Sequence, residues 1–495
     1  DPPQVTVRLD DSSVVGRSVK LSISLSGCDP VQKLEVFNDT TLVKQVPVTG
    51  NPTPVELTRS ELRFGGRLAA SLSLSARVTC ADGRSNVSQG QLATFFPVEE
   101  VIEPAVANTQ VVPNYFIAEG SGDDVAFIGC GMDGNRPYLY RVEKRNPTAP
   151  QRLEMDFNCN ETTTITDRKP AGSGVRWVWT SGSGAMVIDR DFKRKAIDHE
   201  VFDNPFGLSV AADGNAFVYD GVSLQVLTPQ GTVKWRRTLI GNELPGIPIG
   251  DPVLTSARKV VMPFQRNRTE VSEIMVGVMD YDLADPTGKP AVTYRIDDLN
   301  PMIDRSPWVA FNPAGTVLYL GTQQQNSVTV RACAVGQPNP CQAGHPASRL
   351  WINDTLPGYL AALIPYDDGR RLAVITTNRF WFLDATRGSA NEGRALNKDQ
   401  QPLTPSGALV GRFAQPGPGE AFYMFNSAPG TDQVPNPHAV ELLAMDSAER
   451  GLVYRYQMPG GQTIYGALDD GGALWLRVGV KLARPFALAE YRQMP

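Results

Sequence analysis

"AADGNAFVYDG", residues 211–221, joins an apolar strand to a tight Asp-Gly turn, and nearly the same phrase returns to the end of the chain. Eight versions follow residue 114: "YFIAEGSGDDVAFIG", "RWVWTSGSGAMVID", "GLSVAADGNAFVYD", "DPVLTSARKVVMPF", "PWVAFNPAGTVLYLG", "AALIPYDDGRRLAVIT", "ALVGRFAQPGPGEAFYMF" and "IYGALDDGGALWLRV". Each reads as strand, turn, strand. Gly122, Gly184, Gly214, Gly315, Gly369, Gly419 and Gly471 supply the turns, and only the fourth copy puts Ser-Ala-Arg there instead. Glycine reaches the positive φ that a tight hairpin requires, and Asp, Asn or Pro before it favours turn entry.

A third strand follows, often ending in Asp ("IMVGVMDYD", "RFWFLDA", "VELLAMD"), and then a Gly-bearing turn into a fourth ("LTPQGTVKWRRTL", "LADPTGKPAVTYRI", "MDSAERGLVYRY"). Four strands repeating at about fifty residues predict an all-β chain dominated by a β-propeller. Second strands such as "AFVYD" and "TVLYLG" are apolar on both faces, which suits sheets stacked face to face. Eight hairpins predict eight blades. Seven stay open, because the second and third hairpins lie only about thirty residues apart. The last unit shows three strands, and "AVANTQVV" (105–112) is placed to add a fourth and close the ring.

The fourth-strand phrase, seen at Asp280 to Tyr294, Asp446 to Tyr454 and Gly231 to Trp235, resembles the docking motif of PQQ-type propeller repeats. That family includes quinoprotein dehydrogenases and non-catalytic envelope propellers such as the outer-membrane assembly lipoprotein. The resemblance implies a propeller and an envelope setting. Quinoprotein dehydrogenases hold their cofactor with calcium, an Asp base and usually adjacent cysteines, and no adjacent cysteines occur here. The resemblance therefore implies loss of catalysis and no cofactor. Calcium or a quinone remains the alternative.

Residues 1–97 read differently. "SVKLSISLS" alternates with period two, Val19, Leu21, Ile23 and Leu25 falling on one face. About seven short strands of this kind predict a β-sandwich. "CDPVQKLEVFND" and "LSARVTCADGRSNVS" resemble bacterial Ig-like domains. Pro97, Pro104 and the acidic centre of "FPVEEVIEP" predict a linker over 98–104, with the propeller spanning 105–495.

Six cysteines fall into local pairs, Cys28 with Cys80, Cys130 with Cys159 and Cys333 with Cys341, which predicts disulfides and an oxidising compartment. Six buried thiols in a cytosolic protein are the alternative. Closing Cys28 to Cys80 is worth about 3–4 kcal/mol in the chain-entropy model. A net charge of -5 without a Lys/Arg cluster argues against nucleic acid. No run of 18 apolar residues is present to span a bilayer. The chain opens "DPPQVTV", with no initiator Met and no signal pattern, as a mature or trimmed chain does. A lipid anchor is compatible with this.

Motifs for chemistry are sparse. "GCGMDG" (129–134) satisfies G-x-G-x-x-G but leads into a strand, where a dinucleotide site needs a helix N-terminus. "HEVFD" at His199 lacks a second His. "DDGR" and "DDGG" lack the spaced ligand set of a calcium loop. Binding is the stronger expectation. Loops 265–273 (Arg266, Arg268) and 426–438 (Asn436, His438) are candidates because long loops on rigid scaffolds carry recognition. "VRWVW" (Trp177, Trp179) and "KWRRTL" (Trp235, Arg236, Arg237) are aromatic or aromatic-basic patches, with blade-packing anchors as the alternative reading of their tryptophans. The expected function is a non-catalytic binding or scaffolding protein of the bacterial envelope, periplasm or extracellular surface, with a protein or glycan partner. A propeller enzyme, either a quinoprotein oxidoreductase or a metal-dependent lactonase or hydrolase working in the central channel, is the alternative.

Overall fold

The computed structural model describes residues 2–62, 70–104, 116–159, 163–165, 175–180, 183–196, 207–211, 213–219, 223–238, 247–267, 272–282, 292–299, 305–324, 327–335, 349–358, 360–366, 369–376, 380–385, 414–416, 421–427, 440–446, 451–457, 464–478 and 481–485. Most of them are strand. A 3-10 turn at Gly122–Asp124 lies inside the first hairpin loop.

The N-terminal residues form two facing sheets. One carries Gln4–Leu9, Ser18–Ser26 and Thr53–Thr58 in that order. The other runs Ser13–Gly16, Gln91–Pro97, Ala70–Cys80, Val31–Asn38, Thr41–Gln45, with Ser85–Val87 added to Ala70–Cys80. Val19, Leu21 and Ile23 are buried and share one core with Leu34, Val36, Leu72, Leu74, Val78 and Phe95 of the opposite sheet. The alternation in "SVKLSISLS" thus points its apolar side inward. Two short strands, Ser13–Gly16 and Ser85–Val87, join the expected set; three or four residues leave almost no periodic signal. Cys28 and Cys80 are bonded with Cα atoms 5.4 Å apart.

The remaining strands among the described residues form eight small antiparallel sheets in chain order. The first is Phe116–Glu119, Ala126–Asp133, Arg136–Glu143 and Asn146–Glu154, and the third is Gly207–Val210, Ala216–Tyr219, Ser223–Leu227 and Val233–Thr238. The fifth is Arg305–Phe311, Val317–Gln324, Ser327–Ala334 and Arg349–Pro357. In the second, a short strand Thr163–Ile165 precedes the hairpin, so "RWVWT" and "GAMVI" become the middle strands instead of the first two. Among the described residues the sixth sheet has three strands, Leu360–Tyr366, Arg371–Thr376 and Phe380–Asp384.

Among the described residues, shared cores join successive sheets from the first to the sixth, and the eighth to the first. Ile117 and Ile128 of the first pack with Val178 and Met186 of the second. Trp177 and Val187 of the second pack with Leu208 and Val218 of the third. Phe217 and Trp235 of the third meet Val260 and Phe264 of the fourth. The series continues from fourth to fifth and from fifth to sixth. Ala467 and Trp475 of the eighth sheet meet Phe116 and Phe127 of the first, which brings the two ends of the repeat together. First strands of neighbouring sheets approach each other, 116–119 with 464–468 and 305–311 with 360–366. They therefore form the inner edge, and the fold is a β-propeller.

The eighth sheet, Ile464–Leu468, Leu474–Val478 and Lys481–Arg484, receives its fourth strand from Glu100–Ile102. That segment lies inside the stretch read as linker, whereas 105–112, expected to supply the strand, falls outside the described residues. The hairpin glycines also need one correction. In the eighth sheet the positive φ belongs to Gly472 (82°), not Gly471, and in the glycine-less fourth hairpin Arg258 takes that conformation itself at 54°. Its guanidinium is held by Asp282, which helps a non-glycine residue stay there.

Candidate functional site

Most of the aromatic and basic residues singled out by sequence are part of the packing. Trp177 is fully buried between the second and third sheets, and Trp179 is half-buried beside it. Trp235 Nε1 donates to the Tyr281 carbonyl at 2.9 Å, which ties the fourth strand of the third sheet to the end of a strand in the fourth. Trp351 Nε1 does the same with the Ala385 carbonyl at 3.5 Å, from the fifth sheet to the sixth. Both acceptors directly follow the Asp that ends a third strand, Asp280 or Asp384. These indoles are anchors between sheets.

Arg237 is buried, while Arg236 on the same strand is exposed. Arg266 lies in Lys259–Asn267, directly across from Glu273 of Ser272–Asp280, and the two side chains form an ion pair. The expected long loop at 265–273 is therefore mostly paired strand: Asn267 and Ser272 face each other at its end. Arg268, Asn436 and His438 lie outside the described residues. Cys130 is bonded to Cys159. Cys333 is also disulfide-bonded, and Cys341 lies outside the described residues.

"LDDGG" forms a turn held by its own carboxylate. Asp469 Oδ1 accepts from the Gly471 and Ala473 amides at 2.9 Å each, and Oδ2 accepts from Trp475 Nε1 at 3.1 Å. With these bonds made, Asp469 is a structural residue. "GCGMDG" likewise runs through the strand Ala126–Asp133 and turns into Arg136–Glu143. Among the described residues no group of three His, Cys, Asp or Glu side chains is placed to share a metal ion.

One polar constellation on the inner edge has no such structural explanation. The first strand of the fourth sheet is broken. Ile247–Pro248 pairs with Phe264 and Gln265, Val253–Leu254 pairs with Val260 and Val261, and the chain between them bulges. Bulges re-aim side chains, and this one turns Asp251 toward the third sheet. There Tyr219 donates its hydroxyl proton to Asp251 Oδ1 at 3.1 Å. Tyr219 reaches that far because Gly207 is its partner across the strand pair, and a Cβ on Gly207 would fall 2.1 Å from Tyr219 Cζ. The glycine lets the ring lie over the innermost strand.

Asp251 is solvent-accessible, yet desolvation by the protein around it pushes its carboxyl above the ordinary range, and the Tyr219 hydrogen bond offsets only part of this. Tyr219 is pushed up as well, first by burial and then by the Asp251 charge, so it stays protonated. Ser209 lies two residues beyond Gly207 on the same strand face, and its Oγ is buried with no hydrogen-bond partner. Sequence reading missed this group. Its one local signal is a glycine paired with a tyrosine across the hairpin.

Comparison with known proteins gives no family for this chain. No family model matches the chain, and no curated protein matches it. Solved structures that resemble it include the Dos1 propeller, at 14% identity and TM-score 0.47, covering 75% of this chain and 94% of that one. Dihydro-heme d1 dehydrogenase NirN matches at 14% identity and TM-score 0.40, covering 76% and 73%. The quinohemoprotein alcohol dehydrogenase of Comamonas testosteroni matches at 13% identity and TM-score 0.38, covering 61% and 62%.

Proposed function

We propose that this chain is a non-catalytic binding or scaffolding protein of the bacterial cell envelope or extracellular surface, in which an Ig-like sandwich (residues 1–97) is built onto an eight-bladed propeller with PQQ-type docking. The observation that carries this reading is the junction. Strand Gln91–Pro97 of the sandwich leads, after only residues 98 and 99, into Glu100–Ile102, the strand that completes the eighth sheet. Val98 N donates to the Gly16 carbonyl at 3.0 Å and Glu99 N to the Arg484 carbonyl at 2.8 Å. Arg484 pairs with Glu99 at 2.9 Å and Glu100 at 3.3 Å, and Lys144 of the first sheet pairs with Glu100 at 2.9 Å. Two modules fixed this way present two surfaces in one geometry, and a partner touching both gains the effective-concentration advantage of a linked pair.

The bonded cysteines favour an oxidising compartment. The partner is a protein or a glycan met through the propeller's face loops and the sandwich. The test is purification of the full chain after crosslinking in its native envelope or secreted fraction, with metal analysis and an absorption spectrum of the same material. The expected result is a recurrent partner crosslinked through both modules. A stoichiometric quinone or tightly held calcium would replace this reading with the enzymatic one.

A further inference from the structure

The strand that completes the eighth sheet is short. Glu100 pairs with Arg484, Val101 with Ala483 and Ile102 with Leu482, and of the three only Ile102 is buried. It lies in the core shared by the last and first sheets, with Phe127, Val142, Trp475 and Leu482. Three paired residues make few hydrogen bonds, each small once exchange with water is counted. Such a strand stays docked only while its flanks hold it close, because a loose chain loses entropy on closing.

The N-terminal flank has no slack. In the sandwich, Ser13–Gly16 runs parallel to Gln91–Pro97, and Gly16 faces Pro97 at the end of the pair. The next residue, Val98, is buried, and its amide extends that ladder to the Gly16 carbonyl. One residue later the Glu99 amide already belongs to the eighth sheet, bonded to the Arg484 carbonyl, while the Glu99 carbonyl accepts from Arg17 Nε of the sandwich. Residues 98 and 99 are thus both committed, the first to the sandwich and the second to both modules.

Charge gathers at the same point. Arg484 of the last sheet reaches the carboxylates of Glu99 and Glu100. Lys144 of the first sheet, 12% exposed, reaches Glu100 from the other side and lies 5.7 Å from the Trp475 ring centroid. Sandwich, last sheet and first sheet therefore all hold the two adjacent residues Glu99 and Glu100.

We propose that the sandwich is the latch of the ring. Folded, it holds Glu100–Ile102 in register against Lys481–Arg484. When Ser13–Gly16 and Gln91–Pro97 come apart, the eighth sheet loses its outer strand and the seam between last and first sheets opens in the same event. The folded flank raises the effective concentration of the closing strand, and an unfolded flank returns it to the search of a flexible chain. Sheets far from the seam are held by cores of their own, as Ala216–Tyr219 is between the second and fourth sheets. The inference rests on no reading of what the protein binds, and it holds equally for a scaffold and for an enzyme.

Native-state hydrogen exchange of the full chain across rising denaturant, read by mass spectrometry, tests the latch. Segments 91–97, 100–102 and 481–484 should open along one isotherm with one slope, and 216–219 along another. Replacing Cys28 and Cys80 by Ala weakens the sandwich far from the seam, and should speed exchange in the first three segments by a common factor of about a hundredfold while leaving 216–219 within about twofold. Inserting Gly-Ser-Gly-Ser between Val98 and Glu99 should uncouple the modules, so that the cysteine substitutions then speed 91–97 alone. The isotherms need no substitution and decide the matter if a variant fails to fold. Separate isotherms for 91–97 and 481–484, cysteine replacement that leaves 481–484 unchanged, or coupling that survives the insertion would each overturn the proposal.

Discussion

Glu35 in the sandwich is a buried carboxylate and Asp251 in the propeller an exposed one, and their neighbours separate them further. Glu35 Oε1 meets Lys33, and Oε2 receives Arg77 Nε at 3.0 Å and Nη2 at 2.9 Å. Those cations, Lys33 first, draw its carboxyl below the ordinary 4.5 despite desolvation. Arg77 in turn lies 4.7 Å from the Phe37 ring centroid. Asp251 has only a hydroxyl, and desolvation lifts it above the ordinary 3.8. A carboxylate that the chain itself neutralises is fastening. One left to a hydroxyl has no cation to offset its desolvation.

The largest effect that sharpens this contrast concerns the module holding Glu35. Replacing Cys28 and Cys80 by Ala should destabilise the sandwich by about 3–4 kcal/mol, since the closed loop constrains its unfolded chain. Calorimetry of the full chain should show this loss, and an unchanged transition would overturn it.

Next comes the clasp itself. Arg77→Met should cost about 1–2 kcal/mol, because half of the charge on a covered carboxylate goes uncompensated while Lys33 remains. Chemical denaturation measures it, and a neutral outcome would show that Glu35 is no more held than Asp251.

How much of this was readable from sequence depends on the range of the interaction. The hairpin repeat was legible because its signal is local: a turn glycine and apolar runs recur together, and Gly214, Gly315 and Gly369 do adopt positive φ. The inward face of "SVKLSISLS" was legible for the same reason. Trp177 was ambiguous, because an indole destined for an interior and one destined for a partner look alike in sequence; exposure went to Trp308 instead, after Pro307, where the register with the next strand slips. The closing strand was misplaced by a few residues because three residues paired to a segment more than three hundred positions away carry no periodicity. Asp251 was invisible. Its partner is on another sheet, and its direction depends on a bulge that no turn motif announces.

The acid limb sets the two carboxylates against each other in sign. Glu35 has a folded value below its unfolded one, so its contribution is complete above about 4.5 and is lost as pH falls through the folded value. Glu35→Gln should therefore be less stable than the unaltered chain near neutrality, by about 1–2 kcal/mol, and the deficit should shrink on acidification. Thermal midpoints between neutral and strongly acid pH measure the slope.

Asp251 should give the smallest change and the opposite slope. Its folded value lies above the unfolded 3.8, so the folded state binds the proton more tightly, and charge on Asp251 subtracts stability as pH rises through the folded value. Asp251→Asn removes that charge and keeps an acceptor for the Tyr219 hydroxyl. The variant should match the unaltered chain at low pH and exceed it near neutrality by about 0–1 kcal/mol, the range of a substitution that breaks no packing. Midpoints recorded for both variants on one pH series test the pair together. Parallel slopes would erase the distinction, since Asp251 would then be compensated within the chain. Opposed slopes would identify Asp251 as an acid that the fold holds at a cost to its own stability.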